Sequence, residues 1–192
     1  MIVWINGPFG VGKTTLATTL RQELPGAVLA DPEEIGAVVR RVFPGTYRDF
    51  QDHPAWRALT AQLAVHCHRE NGGRPVLVPM TLLRRTYAAE IHDAVRTAGA
   101  PLRHLLLHAS PDTVRARIGA AVEYPGDEVR SAKVRAFRRR QLPVYEEAYG
   151  SWLAAGAEVV DTTGLTPRQV ADRARALLGP LSAGRAPEAD GR

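Results

Sequence analysis

The run MIVWIN leads directly into GPFGVGKTT, and residues 7–14 fit the pattern G-x-x-x-x-G-K-[ST]. Short apolar runs of branched and aromatic side chains read as buried strands. After the turn, Leu16, Leu20 and Leu24 recur at i, i+4 and i+8, a helical spacing. A glycine-rich turn between a strand and a helix is what a phosphate-binding loop requires. Gly7, Gly10 and Gly12 permit backbone conformations that a Cβ forbids. The N–H groups of the loop can then converge on an anion, and the helix contributes its positive end. Lys13 has the reach to meet β- and γ-phosphates, and the Thr14 hydroxyl suits Mg²⁺. The nucleotide-binding candidates are Gly7, Phe9, Gly10, Val11, Gly12, Lys13, Thr14 and Thr15, with Thr14 as the metal candidate.

Further strand-like runs lie at 27–30, 75–79, 102–107 and 157–160, with helix-like segments between them. Strands alternating with helices predict a parallel sheet with crossover connections. Trp56, Leu59, Leu63 and Cys67 form an apparent core stripe in one helix. Ser110 with Pro111, and Thr166 with Gly179, bracket two others as cap and first-turn or stop residues. Residues 1–179 read as one domain and PLSAGRAPEADGR at 180–192 as a disordered tail. No apolar run approaches the ~20 residues of a membrane span, and the single cysteine, Cys67, fits a reducing compartment. The expectation is a cytoplasmic protein, monomeric or homodimeric, that does not engage a membrane.

The +5 formal charge is concentrated between Arg115 and Arg140, where eight basic residues face three acids. A compact basic segment suits a small polyanion, whereas nucleic-acid tracks spread wider and interleave aromatics. No nucleic-acid partner is expected. A switch GTPase would carry N-K-x-D, which is absent, and DTTG at 161–164 comes after the last strand. The third strand ends in VLVPMT without the acid expected of a motor ATPase. A small chain with a basic segment before the last strand resembles instead the phosphate-loop kinases, in which a mobile lid, here expected at about 119–140, closes arginines over the phosphates. Arg117 near the end of its helix, and Arg138 among Arg135, Arg138 and Arg139 on one helical face, are the candidates.

On the acceptor side, Asp31 follows the second strand, where ligands of parallel sheets gather. Its carboxylate can serve as general base, and it also fits the cap of a helix opened by Pro32. RDFQDHPAWRAL at 48–59 supplies a mixed aromatic and polar wall, with Trp56 in the core and Asp52 as an alternative helix cap. HCH at 66–68 does not have metal-ligand spacing.

WINGPFGVGKT, DPEEIG, DFQDHPAWRAL, VLVPMT and HASPDTVRARI, in this order and spacing, resemble the tunicamycin-resistance protein family over about the first 120 residues. The resemblance implies a P-loop kinase-like α/β fold, similar to chloramphenicol phosphotransferase, with five parallel strands in the order 2-3-1-4-5 and an arginine-rich helical lid. It also implies action on a uridine-type nucleoside antibiotic. The expected catalytic residues are Lys13, Asp31, Arg117 and Arg138, with Asp31, Glu33, Phe50, Asp52, Arg57, Met80 and Thr81 around the acceptor. ATP or GTP and Mg²⁺ are the expected cofactors. Phosphorylation of a metabolite such as a sugar acid or nucleoside, and nucleotide-gated sequestration of a drug without chemistry, are the alternatives.

Overall fold

The computed structural model describes residues 1–179; the expected tail at 180–192 lies outside the described residues. Five parallel strands form one sheet: β1 (Ile2–Asn6), β2 (Val28–Leu29), β3 (Val76–Pro79), β4 (Leu102–His108) and β5 (Glu158–Asp161). Their order is β2-β3-β1-β4-β5, as the family resemblance implies. β1 is central, Ile2 aligning with Val76 on one side and Leu102 on the other.

Alternation along β1 divides the core. Val3 and Ile5 point to one face, packed with Leu16 and Leu20 of α1 (Lys13–Glu23) and Val170 and Ala174 of α8 (Pro167–Leu178). Ile2 and Trp4 point to the other, against Trp56 and Ala61 of α3 (Pro54–Glu70) and Ile91 and Val95 of α4 (Arg85–Thr97). Because both faces are covered, β1 is apolar at every position except its last, Asn6, and is fully buried.

The stripe expected on α3 needs correction. Trp56 is buried, but Leu59 and Leu63 are exposed, and the inner face is Trp56, Thr60, Ala61, Ala64 and Val65. The large indole fills the space beside the small residues that follow, so the helix turns its alanines inward and its leucines outward. The leucine periodicity alone pointed to the wrong face.

Helix starts follow local chemistry. Asp31 caps α2 (Pro32–Val42), accepting from the Glu33 N–H. Ser110 caps α5 (Pro111–Ala120), Asp127 caps α6 (Glu128–Arg140), and Thr166 with Gln169 forms a capping box on α8. α3 is capped by His53, whose Nδ1 accepts from the Ala55 N–H, and not by Asp52. α7 (Leu142–Ala148) and a π-helical turn at Tyr149–Leu153 lead from α6 towards β5. No described helix is long and apolar enough to cross a membrane.

Candidate nucleotide and acceptor site

Between β1 and α1 the loop 7–12 makes three positive-φ excursions, at Gly7 (144°), Gly10 (79°) and Gly12 (105°). At Gly7 a Cβ would also lie 2.5 Å from the Leu107 carbonyl, so glycine is required there twice over. α1, unlike α2, α5, α6 and α8, has no side-chain N-cap, which leaves the N–H groups of its first turn available to an anion. A cavity of about 310 Å³ adjoins them, lined by Gly10, Gly12, Thr15, Arg117, Thr162 and Leu165 among others. The turn after β5 therefore belongs to this site. DTTG could have been assigned to it on position alone, because it follows the C-terminal end of a parallel strand.

Arg117 bridges the two halves of the cavity. Its guanidinium donates to the Thr162 hydroxyl (2.9 Å), the Thr162 carbonyl (3.0 Å) and the Val11 carbonyl (3.3 Å). Lys13 folds back on the loop, its ammonium donating to the carbonyls of Gly7 (3.1 Å) and Pro8 (2.9 Å). Burial of that ammonium pulls its pKa down to about 7; Glu33 opposes the drop and Arg138 adds to it. Glu33 and Arg138 therefore both lie within electrostatic reach of Lys13. Phe9 is the common platform. Its ring lies 5.5 Å from Nζ of Lys13, 5.9 Å from the Arg138 guanidinium and 5.6 Å, edge to face, from Phe137.

The basic segment is less free than its charge suggests. Arg138 is paired with Glu123 and Arg135 with Glu128, so two of the three arginines on that face of α6 meet acids of the same segment. Arg139 is exposed, near Gly119. Glu123 escaped sequence reasoning, where it figured only as a charge offset.

On the other side of the loop, Thr81 donates its hydroxyl to the Gly7 carbonyl (2.9 Å) and accepts on its own carbonyl from Gln51 Nε2 (2.9 Å). Gln51 belongs to a 3₁₀ turn, Phe50–Asp52, that carries the expected acceptor wall to the mouth of the loop. Phe50 stacks on Gly36 of α2 and beside Trp56, with the Arg40 guanidinium 4.7 Å above its ring. Asp52 pairs with Arg84 (2.8 Å) and accepts from Tyr87 Oη. Arg57 is a strut: it is paired with Glu90 at 2.6 Å, donates to the Gln51 carbonyl at 2.7 Å and lies over Tyr87. Met80 is buried in the core beneath this wall. Asp31 keeps one carboxylate oxygen on the α2 cap, leaving the other available.

These residues suit a nucleoside triphosphate, with the loop and the start of α1 for its phosphates and the cavity beside Arg117 for the rest. For Mg²⁺ the protein offers the exposed Thr14 hydroxyl, and among the described residues no cluster of three acids, histidines or cysteines could form a metal cage. A small hydrated ion held mainly by phosphate oxygens fits such a donor set.

Strand order and phosphate loop define a P-loop kinase-like α/β fold. A family model described as an AAA domain matches residues 2–144. The tunicamycin resistance protein of Deinococcus radiodurans is 31% identical, with a TM-score of 0.67, over 93% of this chain and 95% of that one. The chain belongs to this AAA-domain family and to the family of the tunicamycin resistance protein. A gluconokinase from Sinorhizobium meliloti 1021 is similar in fold, at 17% identity and a TM-score of 0.61 over 91% of this chain and 89% of that one. So is a shikimate kinase from Bacteroides thetaiotaomicron, at 16% identity and 0.53 over 93% and 98%. No curated protein matches the chain in sequence.

Proposed function

We propose that the protein transfers the γ-phosphoryl group of ATP or GTP to a hydroxyl of a nucleoside antibiotic of the tunicamycin kind, and so confers resistance. The observation that carries the choice of acceptor is the 31% identity to the Deinococcus radiodurans tunicamycin resistance protein over nearly the whole of both chains. In this reading the acceptor lies between the 3₁₀ turn, the start of α2 and the phosphate loop. Glu33, Phe50, Asp52 and Thr81 face or frame it, and Arg57 and Met80 support the wall from behind.

Asp31 takes the proton of the acceptor hydroxyl on its free carboxylate oxygen. The hydroxyl oxygen then bonds to the γ-phosphorus while the bond to the β,γ-bridging oxygen breaks and its electron pair leaves with the nucleoside diphosphate. Lys13, Arg117 and Arg138 meet the charge that spreads over the phosphoryl oxygens. Thr14 would hold Mg²⁺, which when bound neutralises charge on the β- and γ-oxygens.

Mass spectrometry of tunicamycin and related uridine antibiotics after incubation with protein, nucleotide and Mg²⁺ tests the reading. The expected product is the drug heavier by one phosphoryl group. Phosphorylation of only a sugar acid or nucleoside from a metabolite panel would replace the acceptor, and tight drug retention with no mass change would replace the chemistry by sequestration. Asp31→Asn is expected to lower turnover about 100-fold or more while nucleotide binding persists. Normal turnover in that variant would move the base elsewhere.

A further inference from the structure

The two carbonyls that hold Lys13 back each have a second partner. The Pro8 carbonyl also accepts from the Val11 N–H at 3.4 Å, within the loop itself. The Gly7 carbonyl also accepts from the Thr81 hydroxyl, which lies just past the C-terminal end of β3, the strand paired with β1. A lysine ammonium has three donors, and here two are spent on these carbonyls. To meet phosphate oxygens with its full set, Lys13 must let go of them. A carbonyl abandoned in this enclosed turn would carry a desolvation penalty unless something else donates to it.

Thr81 is fixed for that task. Asn6 Oδ1 accepts from both the Gly7 N–H (2.8 Å) and the Leu82 N–H (2.9 Å), and Asn6 Nδ2 donates to the Leu82 carbonyl (3.0 Å). The Asn6 amide therefore pairs with the residue after Thr81 at two points and with the first loop peptide at a third. Thr81 is 4% exposed, Asn6 fully buried. Asn6 thus ties the turn carrying Thr81 to the start of the loop.

We infer that Thr81 is a positioning residue for Lys13: it keeps the Gly7 carbonyl satisfied so that the lysine can leave it for phosphate, with Asn6 holding the hydroxyl in register. The inference rests on the phosphate-loop reading and not on the identity of the acceptor. It assigns Thr81 a part in nucleotide binding that exists before any acceptor arrives.

The test is calorimetric titration with the β,γ-imido analogues of ATP and GTP plus Mg²⁺, using whichever binds more tightly, in the absence of acceptor. Thr81→Val is expected to bind about tenfold more weakly, the scale of one buried carbonyl left unpaired on binding. Thr81→Ser is expected to restore affinity to within about twofold, since it returns the donor. In a Lys13→Ala background no lysine holds the Gly7 carbonyl in either state, so adding Thr81→Val is expected to change affinity by less than about twofold. Should Thr81→Val fold poorly, Thr81→Ala, which also lacks the donor, replaces it in the same cycle. Wild-type affinity in the Val or Ala variant, or an undiminished loss in the Lys13→Ala background, would overturn the inference. An effect confined to acceptor KM would return Thr81 to the acceptor wall alone.

Discussion

At the residue scale, the fold acts strongly on the state of Lys13. Burial lowers its pKa to about 7, so in the free protein it loses charge as pH rises through neutrality. A bound triphosphate restores an anionic partner and raises that pKa. Binding is therefore accompanied by proton uptake above pH 7, and affinity is full near and below pH 7 and falls by up to about tenfold per pH unit above it. Calorimetry at pH 8.5 in two buffers of different ionisation enthalpy is expected to report close to one proton taken up, and none in Lys13→Ala; equal proton counts in the two proteins would refute it. That variant is also expected to lose turnover while keeping its fold. Lys13 could be read from the sequence because the loop motif fixes its place relative to a strand and a helix. Glu33 and Glu123 could not be placed the same way. Their influence on Lys13 and Arg138 depends on where α2 and α6 are carried, and no local spacing encodes that.

Among the elements, the junction of α2 with the 3₁₀ turn shapes the proposed acceptor wall. A Cβ at Gly36 would sit 2.8 Å from the Phe50 ring, which is itself backed by Trp56. Gly36→Ala is expected to cost about 1–3 kcal/mol through overpacking and to raise acceptor KM, with nucleotide affinity unchanged. Thermal unfolding and steady-state kinetics on the variant check both parts. The lid gives a second element-scale expectation. Residues 121–127 link α5 to α6 with Gly126 at φ 85°, and the inward arginines of α6 pair with Glu123 and Glu128. Phosphates offer those guanidinium groups a stronger partner, so trypsin is expected to cut between 119 and 135 in the free protein and to be excluded by a nonhydrolysable nucleotide. Equal cleavage in both states would count against closure. Strands and caps were legible because Asp31–Pro32, Ser110–Pro111 and Thr166 carry their signals within a few residues. The inner face of α3 was not, because Trp56 competes with Leu59 and Leu63 for the same core space and volume decides the outcome.

For the whole molecule, the sheet order places β1 between two halves. The phosphate loop, α1, α5, the turn after β5 and α8 shape the cavity beside Arg117, while β2, β3, α2 and α3 carry the proposed acceptor wall. A ligand gripped by residues from both ends of the sequence stabilises the entire fold. Nucleotide with Mg²⁺ at ~100 times its Kd adds about 2.7 kcal/mol, or roughly 5–10 °C in Tm for a chain of this size. Thermal scanning with and without nucleotide checks it, and an unmoved Tm at saturation would contradict the site. The strand order follows from the family pattern, and each strand from its apolar run; the meeting of Thr162 with Arg117 across β4 and β5 emerges only when the chain is folded. The central seat of β1 also has a bearing on descent. Under the proposed function, substitutions within 31–57 would redraw the range of acceptors while the nucleotide side keeps its coordinates, so a lineage selected for a new acceptor would have a short stretch of gene to search.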